Sequence, residues 1–196
     1  YTNRVDFLRK RLAGSNLYLV GMMGSGKSRT GPLLAKALGY SFVDADSVIE
    51  EISGKKIRAI FDLEGETVFR DLETKVLKEI GQHHSLVVST GGGVVTRPEN
   101  WGVLHQGISI WLDPGTERLW KRLNADKVIR PLLKVEDPRA AFEGLLTKRR
   151  DLYRGADLHI PVGEERPEQV ALSIIQCLEK TIGPKEGPDE PQTTAL

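Results

Sequence analysis

Gly21, Gly26, Lys27 and Ser28 fall at the spacing G-x-x-x-x-G-K-[ST] within LVGMMGSGKSRTG, Leu19 to Gly31. The chemistry such a string performs is phosphate binding. Gly24 and Gly26 let the backbone curl so that successive N–H groups point inward at phosphate oxygens, and a helix opening near Lys27 adds its positive end. Lys27 then reaches the β- and γ-phosphates of a nucleoside triphosphate, and the Ser28 hydroxyl ligates Mg²⁺. Ser25 and Arg29, inside and just after the loop, belong to the same expected nucleotide contact. The bland alternative is a glycine-rich turn with an exposed lysine. It loses to context, because the string directly follows an apolar strand candidate and opens a helical segment.

The second ligand is not written in that loop. Many phosphate-loop proteins place an acid at the end of an apolar third strand to help hold the metal. The equivalent stretch here, LVVSTGGGVV, carries no carboxylate. FVDADS offers a substitute: Asp44 and Asp46 follow the second strand candidate two residues apart, so in an extended segment both carboxylates face one way. Strand ends of an open α/β sheet form the ligand crevice. Two carboxylates there can divide the work, one near the Mg²⁺ shell and one near an attacking hydroxyl. The glycines of STGGGVV fit close backbone approach to a ligand better than a loose turn. Three arginines stand out beside them. Arg70 has Glu73 three residues on and Glu66 four back, either of which could orient it. Arg149 lies in LTKRRDLY, and Arg130 in VIRPLL.

The elements that must position these residues alternate between short apolar runs and longer segments of helical period, the pattern of a parallel sheet covered by helices. Strand candidates are 17–20, 40–43, 86–89, 108–112 and 158–162. Phe69, Leu72, Val76, Leu77 and Ile80 step at helical spacing, so a helix is expected over Gly65 to Ile80, ending at Gly81. PEQVALSIIQCLEKTIG reads likewise, with Val170, Ile174, Cys177 or Leu178, and Thr181 along it; Cys177 is expected to be a small core residue. The segment 124–138 lacks a clean period and is expected to be a mobile loop. From Gly183 the chain is rich in Pro, Gly and charge, so 183–196 is expected to be a disordered tail.

Composition bounds the function classes. A chain of 196 residues suits one domain, expected over 1–182. Its 28 basic and 27 acidic side chains leave a net charge of +1, which gives no general argument for nucleic acid or an anionic membrane as a partner. The single cysteine excludes an intramolecular disulfide and fits a reducing compartment. The expected location is the cytoplasm, or the plastid stroma if a transit peptide preceded Tyr1. His83 and His84 are read as exposed loop residues, and Trp101, Trp111 and Trp120 as packing residues, Trp111 inside a strand.

In this order and at these separations, GMMGSGKS, FVDADSVIE, IFDLEGETVFRDLE, VVSTGGGVV, IRPLL and KRRDLY resemble the shikimate kinases, over essentially Asn16 to Ile182. The phosphate loop alone is widely shared; the combination is specific. The resemblance implies a nucleoside-monophosphate-kinase-like α/β sandwich of three layers with a five-stranded parallel sheet. It implies an ATP:shikimate 3-phosphotransferase, usually monomeric, with Mg²⁺-ATP as co-substrate and an acceptor-binding region at about 46–80. It assigns Asp46, Arg70, Gly92 and Arg149 to shikimate: Asp46 bonds ring hydroxyls and acts as base or orienter, while the two arginines clamp the carboxylate. Arg130 becomes the lid arginine that reaches the transferring phosphate, Asp44 a water-mediated Mg²⁺ partner, and Phe61 and Phe69 pocket walls. Two departures touch the adenine contacts and the lid. Glu165 stands in GEERPEQ where the family pattern has arginine, with Arg166 one position displaced, and LNADKV differs from commoner lid approaches. The competing readings are a gluconate-type kinase and a catalytically inactive kinase-like binding protein. Arg70, TGGG and Arg149 together favour a cyclic hydroxy acid over the first, and the presence of Lys27, Asp46 and Arg130 argues against the second.

Overall fold

The computed structural model describes residues 2–126, 133 and 135–182. Arg130, most of the expected lid and the expected tail from Gly183 lie outside the described residues.

The chain runs α1 (Thr2–Leu12), β1 (Leu17–Val20), α2 (Lys27–Leu38), β2 (Ser41–Asp44), α3 (Ala45–Ser53), α4 (Ile57–Ile80), β3 (Leu86–Ser89), a 3₁₀ turn (Val94–Thr96) and α5 (Pro98–Leu104). It continues through β4 (Ile108–Asp113), α6 (Thr116–Ala125), α7 (Pro138–Tyr153), β5 (Leu158–Pro161) and α8 (Pro167–Ile182). The five strands form one sheet in the order β2-β3-β1-β4-β5, every pair parallel. β1 is central and buried at all four positions, which is why it reads as a continuous apolar run rather than an alternation. Its side chains still divide by face: Leu17 and Leu19 join one apolar cluster with α1, α2 and α8, whereas Tyr18 and Val20 join the other with α4, α5 and α7. Two packed layers of helix on one sheet follow from that division.

Three expectations shift. The second strand ends at Asp44 rather than Val43, and α3 begins at once. Asp46 therefore sits in the first turn of a helix and not on an extended segment, so its relation to Asp44 is that of a capped helix start. The helix expected from Gly65 is longer, from Ile57, but it kinks at Gly65, where φ is 88° and ψ 171°. Only glycine takes that conformation readily, so the sequence boundary marks a real break. Cys177 is half-buried at the edge of the second cluster rather than inside it, because Ile174 and Leu178 occupy the core-facing stripe of α8. The α1 helix has no counterpart among the sequence expectations; Leu8 and Leu12 anchor it, and Arg11 Nε donates to the carbonyl of Ile182 at the end of α8 (3.0 Å).

Strand order places a switch point between β1 and β3, since the chain leaves β1 toward β2 but leaves β3 toward β4. Loops after β1 and β3 thus diverge at their carboxyl ends and open a crevice. The phosphate loop follows β1, and the Gly91–Gly93 turn follows β3.

Candidate active site

The loop after β1 enters α2 with Gly21, Gly24 and Gly26 all at positive φ, the curl that turns backbone N–H groups toward an anion. Lys27 is buried; its Nζ donates to the carbonyls of Gly21 (2.7 Å) and Met22 (3.0 Å) and to Ser25 Oγ (3.3 Å). A cavity of about 800 Å³ opens over this loop. Gly24, Ser25, Gly26, Lys27, Ser28 and Arg29 all line it, as do Asp44, Asp46 and Gly92. Nucleotide-side and acceptor-side residues named from different motifs therefore share one cavity.

Ser28 Oγ donates to Asp44 Oδ2 (2.7 Å) and lies 3.1 Å from Ser89 Oγ. Three hard oxygen donors from α2, β2 and β3 meet here, a set suited to Mg²⁺. Ser89 occupies the end of the third strand, the place where other phosphate-loop proteins carry an acid. The Asp44 carboxylate also caps α3, with Oδ1 accepting from the N–H groups of Asp46 (3.0 Å) and Ser47 (3.2 Å). One aspartate thus faces the loop serine with one oxygen and fixes the Asp46 backbone with the other.

Asp46 Oδ1 is buried and has no hydrogen-bond partner among the described residues. Burial, then the neighbouring carboxylates of Asp44 and Glu73, push its pKa from 3.8 up to about 6, against the opposing pull of Lys27 and Arg70. Arg70 is oriented by both acids that the sequence offered: NH1 donates to Glu73 Oε1 at 2.8 Å, and NH2 to Glu66 Oε1 at 3.3 Å. The Glu73 pair is buried on both sides, so it holds the guanidinium more firmly than the exposed Glu66 does. Arg149, 3% exposed, touches Met22 Sδ at 3.8 Å, and its Nε has no partner among the described residues.

These groups converge on the Gly91–Gly93 turn, and the glycines are what let them. A Cβ on Gly91 would collide with Glu73 Oε2 and come within 3.2 Å of Asp46 Oδ1. On Gly92 a Cβ would meet Arg149 NH1 at 3.3 Å, and on Gly93 it would run into the Arg70 guanidinium. Arg70 and Arg149 also line a second cavity, of about 370 Å³, with Glu66, Thr67, Arg97 and Lys148. The four residues expected to bind the acceptor thus divide between two cavities, with the glycine turn between Asp46 and the arginines. Phe69 is a core residue beneath Arg70, whose guanidinium carbon is 5.1 Å from its ring, and Phe61 packs on it at 4.7 Å. Neither lines the large cavity.

Several residues were not marked by any motif. Arg122 of α6 donates to the Gly24 carbonyl at 3.1 Å and lines the large cavity with Leu123. Val162 and Val170 extend its wall, together with Glu165, Arg166 and Pro167 of the GEERPEQ segment already singled out for its adenine contacts; the Glu165 carboxylate accepts from Gly163 N. An amphipathic helix with two arginines, Arg118 and Arg122, gives no signal as to which one turns toward the loop. Trp111 is buried as expected, and Trp101 and Trp120 are half-buried packing residues; His83 and His84 are exposed.

A family model described as shikimate kinase matches residues 23–179. A shikimate kinase of Prochlorococcus marinus (strain MIT 9313) is 59% identical over 177 residues, covering 90% of this chain and 92% of that relative. Another, of Synechococcus sp. (strain CC9605), is 58% identical over 87% of this chain and 86% of its own. Among solved structures, shikimate kinase from Acinetobacter baumannii in complex with shikimate superposes with a TM-score of 0.83 at 38% identity, covering 89% of this chain and 98% of that one.

Proposed function

The chain belongs to the shikimate kinase family, and we propose that it transfers the γ-phosphate of ATP to the 3-hydroxyl of shikimate, yielding shikimate 3-phosphate and ADP for aromatic amino acid biosynthesis. The observation that supports this best is the pairing, around one glycine turn, of an unpartnered buried carboxylate oxygen on Asp46 with two buried guanidiniums, Arg70 and Arg149. A buried cation without a full set of partners is costly unless a ligand completes it. A planar carboxylate is the ligand that guanidinium forks match.

In this reading Gly24, Ser25, Gly26, Lys27, Ser28 and Arg29 hold the triphosphate, and Arg122, Leu123 and the Val162–Val170 wall face the base end. Ser28 directly, and Asp44 through water, would hold Mg²⁺, which supplies charge neutralisation at the phosphates when bound. Arg70 and Arg149 grip the shikimate carboxylate, with Gly92 closing against the ring. Asp46 accepts the proton of the 3-hydroxyl as its oxygen attacks the γ-phosphorus and the bond to the β-phosphate oxygen breaks. Lys27, and Arg130 from the lid at about 124–138, carry the charge of the transferring group. The acceptor-binding region spans about 46–80 within a single domain over 1–182. The enzyme acts as a cytoplasmic monomer, and no helix among the described residues is long and apolar enough to cross a membrane.

An ADP-release assay with Mg²⁺-ATP across shikimate, gluconate and no acceptor tests the assignment. Release that depends on shikimate is expected; release with gluconate alone would overturn it.

A further inference from the structure

We propose that Tyr153 is a positioning residue of the acceptor site, its phenol fixing the Gly92 peptide that closes against the substrate ring and the Arg149 guanidinium that grips its carboxylate; this rests on the reading of the site given above. A turn of three consecutive glycines has the most conformational freedom any backbone offers, so its geometry must be imposed by what its carbonyls bind. The Gly91 carbonyl accepts from Val94 N (3.1 Å), and the Gly93 carbonyl from Thr96 N (3.1 Å) and Thr96 Oγ1 (2.7 Å). Those bonds belong to the 3₁₀ turn itself. The Gly92 carbonyl is taken from outside the turn, by the Tyr153 hydroxyl at 2.5 Å, across 61 residues of chain.

Tyr153 stands one helical turn after Arg149 on α7, so both side chains leave the same face. The phenol lies against the Arg149 guanidinium, and burial pushes its pKa up to about 12, which keeps it a donor. Its ring is 0% exposed and is held from the sheet: Trp111 of β4 stacks on it at 5.8 Å, and His159 of β5 backs Trp111 at 4.1 Å. His159 Nε2 is in turn 3.0 Å from Asp113 Oδ2. A rigid stack running from β5 through β4 thus ends on the single carbonyl that orients the middle of the glycine turn. Among the described residues the Tyr153 hydroxyl bonds to Gly92 and lines neither cavity, so the consequence should fall on the acceptor rather than on ATP.

Tyr153→Phe keeps the ring and removes the donor. We expect the shikimate KM to rise about five- to tenfold, the range for losing one buried hydrogen bond, with the ATP KM and the circular-dichroism spectrum unchanged. Calorimetric titration of shikimate should show the same weakening. Tyr18→Phe is the control: Tyr18 is equally buried in the same cluster and its hydroxyl bonds only to Asn16 among the described residues, so its removal should leave both KM values unchanged. An unchanged shikimate KM in Tyr153→Phe, or equal rises for both substrates, would overturn the positioning role. A wild-type protein that shows no shikimate-dependent ADP release would instead overturn the functional reading beneath it, and the positioning role with it.

Discussion

Asp46 is held among Asp44 and Glu73 with one carboxylate oxygen buried and without a partner among the described residues, so its negative charge is a cost to the fold that the proposed base role would require. The folded-state pKa, about 6, is raised above the unfolded 3.8, so the folded protein binds this proton more tightly than the unfolded one. Stability from this group is therefore fullest below pH 4 and is lost as pH rises through 6. Asp46→Asn cannot titrate. Its melting temperature, measured without substrates, should exceed that of the wild type at pH 7.5, by an amount that shrinks toward pH 4. The upper bound is about 3 kcal/mol, from roughly two pKa units at about 1.4 kcal/mol each. The same variant should lose about 10²- to 10⁴-fold in turnover, the usual contribution of a general base, while ATP affinity persists. Wild-type kcat/KM for shikimate should fall below about pH 6 as this carboxylate protonates. Near-wild-type turnover in Asp46→Asn would remove the base role. A gap in melting temperature that did not vary with pH would show that burial of the charge is not what destabilises the fold.

At the scale of elements, the proposed acceptor site is a meeting of α3, α4 and α7 at one turn after β3. The capping bond from Asp44 starts α3 where Asp46 is needed, and the kink at Gly65 lets the second half of α4 bring Arg70 and Glu73 over the turn. Gly93→Ala inserts a methyl into the Arg70 guanidinium and must displace it. Misplacing a substrate-positioning group by about 1 Å can cost about 10²-fold, so a large loss in kcat/KM for shikimate is expected, with ATP binding by the phosphate loop intact. Equilibrium titration with an ATP analogue separates the two; parallel losses would mean that the turn supports the phosphate loop as well.

At the scale of the whole molecule, α1 closes the face of the sheet opposite the acceptor helices. Leu8 and Leu12 are each 2% exposed, and Arg11 binds the carboxyl end of α8. Truncating both leucines to alanine should cost about 2–5 kcal/mol each in the manner of core deletions, less whatever the surface helix recovers by relaxing. At about 2–4 °C per kcal/mol for a chain of this size, the melting temperature should drop by roughly 10 °C or more. Both KM values should stay put, since no residue of α1 lines either cavity; a rise in either would place α1 in the function. The sequence by itself determined the phosphate loop and the parallel α/β class, and singled out Asp46, Arg70, Gly92 and Arg149 as candidates, because each is a local pattern: a fixed spacing, a buried four-residue run, an ordered series of motifs. It could not determine which of two acids holds Arg70, that Ser89 faces Ser28, that Arg122 turns toward Gly24, or that Tyr153 binds Gly92. Those pairs are joined across β-strands and helix faces whose packing depends on every other element. Chemistry carried by contiguous residues is legible along the chain, whereas the partners that orient it are chosen by contacts between elements far apart in sequence, and only the folded sheet decides them.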